Sequence, residues 1–317
     1  MRWRRWLLRG LAAVGVIAII ALWTCARPLP ETMPPTPSHT HTLPPPRTHT
    51  PTPTQAPNPT PTHTQTPAPT ITPTPSCTET TGRVEQRTYL SQTTADEEVY
   101  RVYLPPCYEH NGHAGQRYPV LYLLHGWPYD DAHWDNLGAD EDADAGIQTN
   151  LLPYLIIVMP RGREHLYVGT SGGDHSFEGQ VVNDLIPHID ATYRTHTERE
   201  GRAIGGISRG GVWALEIGFL HPGLFAAVGA HSPALSVNLA PQSYDPFYLL
   251  TNPGVGMLRI YLDAGDLDWA REGTQALHEA LDEQGIANEL VVHSGGHANV
   301  LWEENMVEYL AFYAAGW

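Results

Sequence analysis

Apolar and polar positions divide the chain into three stretches of different texture. Residues 11–23 (LAAVGVIAIIALW) are continuously apolar, residues 28–76 hold almost no large apolar side chain, and from residue 77 onward short apolar runs alternate with amphipathic ones. In the third stretch VYRVYL (99–104) alternates with period two, as a half-buried strand does. YPVLYLL (118–124), LIIVM (155–159), FAAVG (225–229), LRIYL (258–262) and ELVV (289–292) read as strands buried on both faces. Helical periodicity falls between them. It runs over 177–193 through Val181, Leu185, Ile186 and Ile189, over the segment after Gly211, over 270–284 up to Gly285, and over 300–315. Buried strands alternating with helices predict an α/β fold: a mostly parallel sheet with helices on both faces. Ligands then sit beyond the C-terminal ends of the strands.

The first two stretches set the domain organisation. Arg2, Arg4, Arg5 and Arg9 precede the apolar run, the order of a basic n-region and an h-region, so residues 1–27 read as an export signal or membrane anchor. Thirteen apolar residues span about 20 Å as a helix, short of a bilayer core of about 30 Å. Cleavage after Ala26, lipidation at Cys25 and retention as an anchor all stay open. Residues 28–76 hold 17 of the 29 prolines in P-T and T-P repeats and cannot form a core. They read as a disordered, extended tether whose histidines (His39, His41, His49, His63) are solvated. Residues 77–317 are the globular domain. The expected location is extracytoplasmic, secreted or tethered to the outer face of the cytoplasmic membrane.

Charge narrows the partners. The formal net charge is −16, and residues 77–317 carry 12 arginines against 33 acids. So acidic a domain repels phosphate backbones, which argues against nucleic acid. Cys77 and Cys107 are the only cysteines of this domain. In an oxidising compartment they suit one disulfide, worth about 3–4 kcal/mol by loop entropy; two free thiols are the alternative.

The candidate chemistry centres on RAIGGISRGG (202–211). It contains G-x-S-x-G between an apolar run and a helix, the setting of a nucleophile elbow at Ser208. A serine needs a base, and the base needs a carboxylate to orient it. The run 258–262 leads into DAGDLD (263–268), and 289–292 leads into HSGGH (293–297). His297 is favoured as base over His293 because Gly295 and Gly296 free its backbone. Asp268 is favoured as acid, three residues past Gly265; Asp266 and Asp263 stay as alternatives, Asp263 being still within the strand. The order serine, acid, histidine is that of α/β-hydrolases.

These motifs together resemble the esterase D/antigen 85-like "putative esterase" family of α/β-hydrolases. The resemblance rests on YPVLYLLHG followed by Trp134, VMPRG, LIPHIDATY, AIGGISRGG, HPGLFAAVGAHSP, GDLD and GGHANVLW, and covers about residues 84–315. It implies an α/β-hydrolase fold, a Ser208–His297–Asp268 triad, and an oxyanion hole from the backbone N–H groups of Trp127 and Arg209. It implies no metal and no cofactor. Arg209 departs from the family's usual Met or Leu, which leaves its side chain to meet an acidic neighbour or substrate. His125 is expected to brace the loop, residues 235–255 to arch over the site, and Trp127, Trp134 and Trp302 to line an acyl pocket or pack in the core.

The reading is an exported serine esterase acting on a small-molecule or polysaccharide-linked ester. An acyltransferase uses the same triad with a sugar or lipid hydroxyl in place of water. A non-catalytic, surface-displayed binding module is expected to lack a triad member, and none is missing. Acyl and alcohol specificity and oligomeric state are not encoded legibly.

The N-terminal pattern makes a direct prediction. A reporter fused to the C-terminus is exported, and protease cutting within residues 28–76 releases a soluble active domain. Active protein confined to the cytoplasm contradicts it, and mass spectrometry of the N-terminus separates the three fates of residues 1–27.

Overall fold

The computed structural model describes residues 77–317, apart from 111, 112 and 170. The export segment and tether expected at 1–27 and 28–76 lie outside the described residues.

Among the described residues eight strands form one sheet: β1 (Arg83–Ser91), β2 (Asp96–Leu104), β3 (Val120–Leu124), β4 (Ile156–Pro160), β5 (Arg202–Ile207), β6 (Ala227–His231), β7 (Arg259–Gly265) and β8 (Glu289–His293). Their order is β1-β2-β4-β3-β5-β6-β7-β8. β2 runs antiparallel to β1 and β4, and every other pairing is parallel. The expected mostly parallel sheet is therefore present. β3 through β6 are buried along their whole length, which is why they read as unbroken apolar runs rather than alternating ones.

The pleat sends alternate residues of each strand into two cores. Val120, Tyr122 and Leu124 enter one, and Leu121 and Leu123 enter the other. The helices are α1 (His133–Asn136), α2 (Ala139–Gln148), α3 (Glu164–Tyr167), α4 (Phe177–Gly179), α5 (Ile186–Thr192), α6 (Arg209–Leu220), α7 (Pro246–Leu249), α8 (Arg271–Glu283), α9 (Asn299–Glu304) and α10 (Met306–Ala314). Val212, Trp213 and Phe219 of α6 and Leu277 and Leu281 of α8 fill the first core. Ala139 and Ala143 of α2, Leu301 of α9, and Tyr309 and Tyr313 of α10 fill the second.

Several elements depart from the expected pattern. β1 is an edge strand of mixed polarity (RVEQRTYLS), with only Tyr89 and Ser91 buried, so periodicity did not reveal it. α2 (ADEDADAGIQ) has a mean composition too acidic to signal a core helix, yet it buries Ala139, Ala143, Gly146 and Ile147. The helix expected over 177–193 winds as a π-helix over Gln180–Leu185 between α4 and α5. The helix expected over 300–315 is two helices, broken at Asn305. Cys77 and Cys107 are joined in a disulfide, fastening the start of the described chain beside the end of β2.

One buried group opposes the fold. Glu216, on α6, is fully buried, and among the described residues neither carboxyl oxygen has a hydrogen-bond partner. Its neighbour Glu178 is satisfied instead by His221 Nε2 at 2.5 Å and by the Gly173 amide. Burial, then the charges of Glu178 and Asp245, push the Glu216 carboxyl up to about 9. A free glutamate titrates near ~4.3. Between those values the unfolded chain is ionised and the folded chain is neutral there. Folding takes up a proton, and stability falls as pH rises through that window. Glu216→Gln removes this titration, so its stability relative to the parent chain increases from pH 5 to pH 8.5 in urea melts. An equal difference at the two pH values contradicts the assignment.

Candidate active site

Ser208 occupies the single residue between β5 and α6, with φ 55° and ψ −112°. Such a conformation costs a non-glycine residue about 1–3 kcal/mol and persists only where its surroundings impose it. Here the imposition is visible. The Ser208 N–H donates to His231 O at 2.8 Å, and Ser208 O accepts from the Ala234 and Val212 amides at 3.0 and 3.2 Å. The turn is too tight for side chains beside it. A Cβ on Gly206 would stand 2.2 Å from Gly210 O, and one on Gly210 would stand 2.3 Å from Leu124 O. These approaches explain the glycines of GGISRGG and bring the start of α6 against the end of β3.

The other two candidate residues arrive from neighbouring strand ends. Asp268 follows β7 through a turn closed by its own N–H donating to Gly265 O at 3.1 Å. His297 follows β8 through Gly295, whose φ is 142°. His297 Nε2 lies 2.9 Å from Ser208 Oγ, and Nδ1 lies 2.9 and 3.1 Å from the two Asp268 oxygens. A carboxylate only accepts, so Nδ1 carries the proton, and Nε2 is left to accept from the serine hydroxyl. Burial favours the neutral form of Asp268. Hydrogen bonds from His297, Ser232 and the Ala270 amide outweigh it and hold the carboxyl below its ordinary value. It therefore stays a carboxylate at neutral pH.

The alternatives fall elsewhere. Asp263 lies inside β7, fully buried, 2.8 Å from His231 Nδ1 and 2.7 Å from Tyr309 Oη. Asp266 accepts from the Gly295 amide at 2.9 Å and so shapes the histidine loop. His293 ends β8, its Nε2 3.6 Å from Asp263.

Trp127 follows β3 across His125 and Gly126, and Arg209 is the first residue of α6 on adjacent β5. A helix supplies no acceptor for its first N–H groups. The Arg209 side chain donates to Asn238 Oδ1 at 3.4 Å, which brings residue 238 beside the start of α6. His125 braces: its Nδ1 donates to Gly126 O at 3.0 Å, its Nε2 accepts from the Gly162 amide at 2.9 Å, and its ring stacks on Tyr167. Burial pushes its imidazole down to about 4.

The three expected tryptophans separate. Trp134 is core, its indole N–H donating to Leu124 O at 2.9 Å. Trp302 is buried edge-on to His297, with centroids 5.2 Å apart. Trp127 is exposed. Trp269 was not singled out from the sequence, although it adjoins Asp268. It lies 4.4 Å from the His297 ring and is half-exposed. His133 and His231 were also missed. His133 meets Asn299 and Trp302, and His231 meets Asp263 and Tyr313, partners distant in sequence that local patterning does not report.

The comparisons with known proteins fit this architecture. The family model described as "Putative esterase" matches residues 91–313. An endo-1,4-beta-xylanase/feruloyl esterase of Xylanibacter ruminicola is 30% identical over 227 residues, covering 70% of this chain and 30% of that protein. An esterase of Mycobacterium tuberculosis is 36% identical over 130 residues, 39% of this chain and 27% of that one. The chain thus spans under a third of the length of these relatives. Among solved structures, a ferulic acid esterase superposes with a TM-score of 0.67 at 23% identity, over 75% of this chain and all of that one. An S-formylglutathione hydrolase of Staphylococcus aureus superposes with a TM-score of 0.63 at 16% identity, over 74% and 99% of the two chains. At such identities the superpositions speak for the fold.

The contacts of the three acids give different expected outcomes. Asp268→Asn lowers turnover of a p-nitrophenyl ester by about 10³–10⁴-fold, as loss of the orienting carboxylate does elsewhere. Asp266→Asn changes it less than tenfold, and Asp263→Asn chiefly lowers the melting temperature. A crippling Asp266→Asn beside a mild Asp268→Asn reverses the assignment.

Proposed function

The chain belongs to the "Putative esterase" family, and on that premise we propose that residues 77–317 hydrolyse carboxylic esters through a covalent acyl-enzyme on Ser208. The observation that carries the reading is the hydrogen-bonded chain from Ser208 Oγ through His297 to Asp268. Ser208 Oγ attacks the ester carbonyl carbon while His297 Nε2 takes its proton. Asp268 keeps the proton on Nδ1 and offsets the charge of the imidazolium. The carbonyl oxygen becomes an oxyanion to which the Trp127 and Arg209 amide N–H groups donate. One such donor is worth about 2.7–4 kcal/mol in other enzymes. Collapse breaks the bond to the alcohol oxygen, which leaves with the proton from His297. Water then attacks the acyl carbon with His297 as base, and the carboxylic acid departs from Ser208.

The relative from Xylanibacter is named for xylanase and feruloyl esterase activity, which supports a polysaccharide-linked ester as substrate. Exposed Trp127, Tyr129 and Trp269 give an aromatic surface suited to an aryl acyl group or a sugar ring. Export by residues 1–27 and tethering by 28–76 complete the proposal and place the domain where such polymers are found.

Replacing the nucleophile tests the reading. Ser208→Ala lowers kcat by at least about 10⁴-fold with the melting temperature preserved. Near parent-level turnover in that variant removes the proposal. A panel of p-nitrophenyl esters of rising chain length, a feruloyl ester and acetylated xylan, assayed on the parent chain, identifies the acyl and alcohol groups.

A further inference from the structure

We propose that His133 is a positioning residue, a latch that joins the oxyanion loop to the loop carrying His297; this rests on the ester-hydrolase reading above. His133 is the first residue of α1 and is buried. Its Nδ1 accepts from the Gly126 N–H at 3.1 Å, and its Nε2 lies 3.3 Å from Asn299 Oδ1. The first contact fixes the second. A ring that accepts at Nδ1 carries its proton on Nε2, and that N–H donates to the asparagine oxygen. Burial pushes the His133 imidazole down to about 4, so this neutral tautomer is the form present at neutral pH.

The two partners give the latch its meaning. The Gly126 N–H belongs to the peptide plane just before the one that carries the Trp127 N–H, so His133 holds the near side of the Gly126 hinge. The far side is held through Gly126 O, which shares its plane with the Trp127 N–H and accepts from the Tyr129 N–H at 2.9 Å and from His125 Nδ1 at 3.0 Å. With both planes held, the proposed oxyanion donor is fixed. Asn299 begins α9, two residues after His297. A single imidazole therefore ties the group that receives the oxyanion to the group that moves the proton. The ring itself is clamped. Tyr129 lies parallel to it with centroids 3.9 Å apart and planes 4° apart, and Trp302, which meets His297 edge-on, also meets His133 edge-on. Farther along the loop, Asp131 accepts from Gln86 Nε2 at 2.8 Å and lies 3.2 Å from Arg101 Nε. The loop is thus fixed to β1 and β2 on one side, and through His133 to the histidine loop on the other.

Catalysis depends steeply on such placement, since an error of about 1 Å at a reacting group costs about 100-fold. A latch of this kind acts in the transition state, where the oxyanion exists, and leaves ground-state binding alone.

Three variants and three readouts test it. The variants are His133→Leu, which removes both contacts; His133→Asn, whose amide oxygen falls near the Nδ1 position and restores an acceptor for Gly126; and Asn299→Ala, which releases only the far end. Active sites are counted by titration with a fluorophosphonate. kcat per titrated site and KM are measured on a p-nitrophenyl ester, and Ki for a trifluoromethyl ketone, whose adduct places an oxyanion in the hole. For His133→Leu the expected result is a full count of sites, kcat down about 10–100-fold, KM within about twofold, and Ki raised by the same factor as kcat falls. His133→Asn, which restores the Gly126 end but not the Asn299 end, and Asn299→Ala, which releases the same far end, each lose about three- to tenfold, by the same argument from geometry. Unchanged kcat per titrated site in His133→Leu overturns the latch, as does Ki unchanged while kcat falls. So does His133→Asn as impaired as His133→Leu, because the ring then serves packing alone. If His133→Leu does not fold, Asn299→Ala decides: kcat lowered at constant KM supports the latch, and unchanged kcat overturns it. Failure of the fluorophosphonate to label the parent chain at Ser208 overturns the ester-hydrolase reading itself, and it does so before any variant is compared.

Discussion

Ser208 is held at φ 55° by a strand and a helix that leave it no other conformation. Sheet pairing fixes β5 on both sides, α6 packs into the first core through Val212 and Trp213, and only one residue joins them. The geometry of the site follows from that constraint. The serine side chain is lifted off the sheet's C-terminal edge, and its backbone N–H is turned to His231 O of adjacent β6. The flanking glycines follow too, because Gly210 has to pass within van der Waals range of the end of β3. The cost of the strained residue, of order 1–3 kcal/mol, is small against the burial of two cores. It would be dissipated at once if β5 and α6 could slide.

The other groups reach Ser208 by different means, and the difference explains why three aspartates in six residues do different things. Asp263 is still in β7, so the pleat decides its direction and sends it into the second core with His231 and Tyr309. Asp266 lies past the strand end and faces back to the Gly295 amide. Only at Asp268 has the chain turned far enough to meet His297. There it also gains the Ala270 amide at 2.7 Å, just before α8 begins at Arg271. Each carboxylate is satisfied by distinct donors, so their roles do not interchange.

Much of this was legible in the sequence, for physical reasons that can be named. Strands buried on both faces announce themselves as unbroken apolar runs, so β3, β4 and β6 were recognisable. The elbow is legible because steric crowding demands glycine at fixed offsets from the serine. The preference for Asp268 came from counting residues past Gly265, a register argument that agrees with the turn observed. The failures are equally specific. β1 pairs along one edge with little apolar alternation, and α2 buries small alanines that hydrophobic patterning weighs lightly. The π-wound turn and the break at Asn305 depend on packing against the rest of the molecule. Trp269, His133 and His231 act through contacts made across the fold, and one sequence without its structure gives no distance between residue 133 and residue 299.

The site is also a junction between two kinds of anchoring. Ser208 is fixed by regular secondary structure, whereas Trp127 and His297 lie on loops, which nothing in the sheet pairing holds to sub-ångström tolerance. The loops are held by side chains that are short of alternatives. His125 bonds to Gly126 and Gly162, His133 to Gly126 and Asn299, and Trp302 donates to Ser232 at 3.3 Å. Buried imidazoles suit this work because one ring offers a donor and an acceptor in opposite directions, and burial keeps it neutral across ordinary pH. A lysine or carboxylate in the same place would have to be either desolvated as a charge or neutralised, at a cost in both cases, as at Glu216. The histidines around the candidate triad are thus the part of the design that converts loop backbone into fixed geometry, and His297, the imidazole proposed to move a proton, has a face toward the half-exposed Trp269.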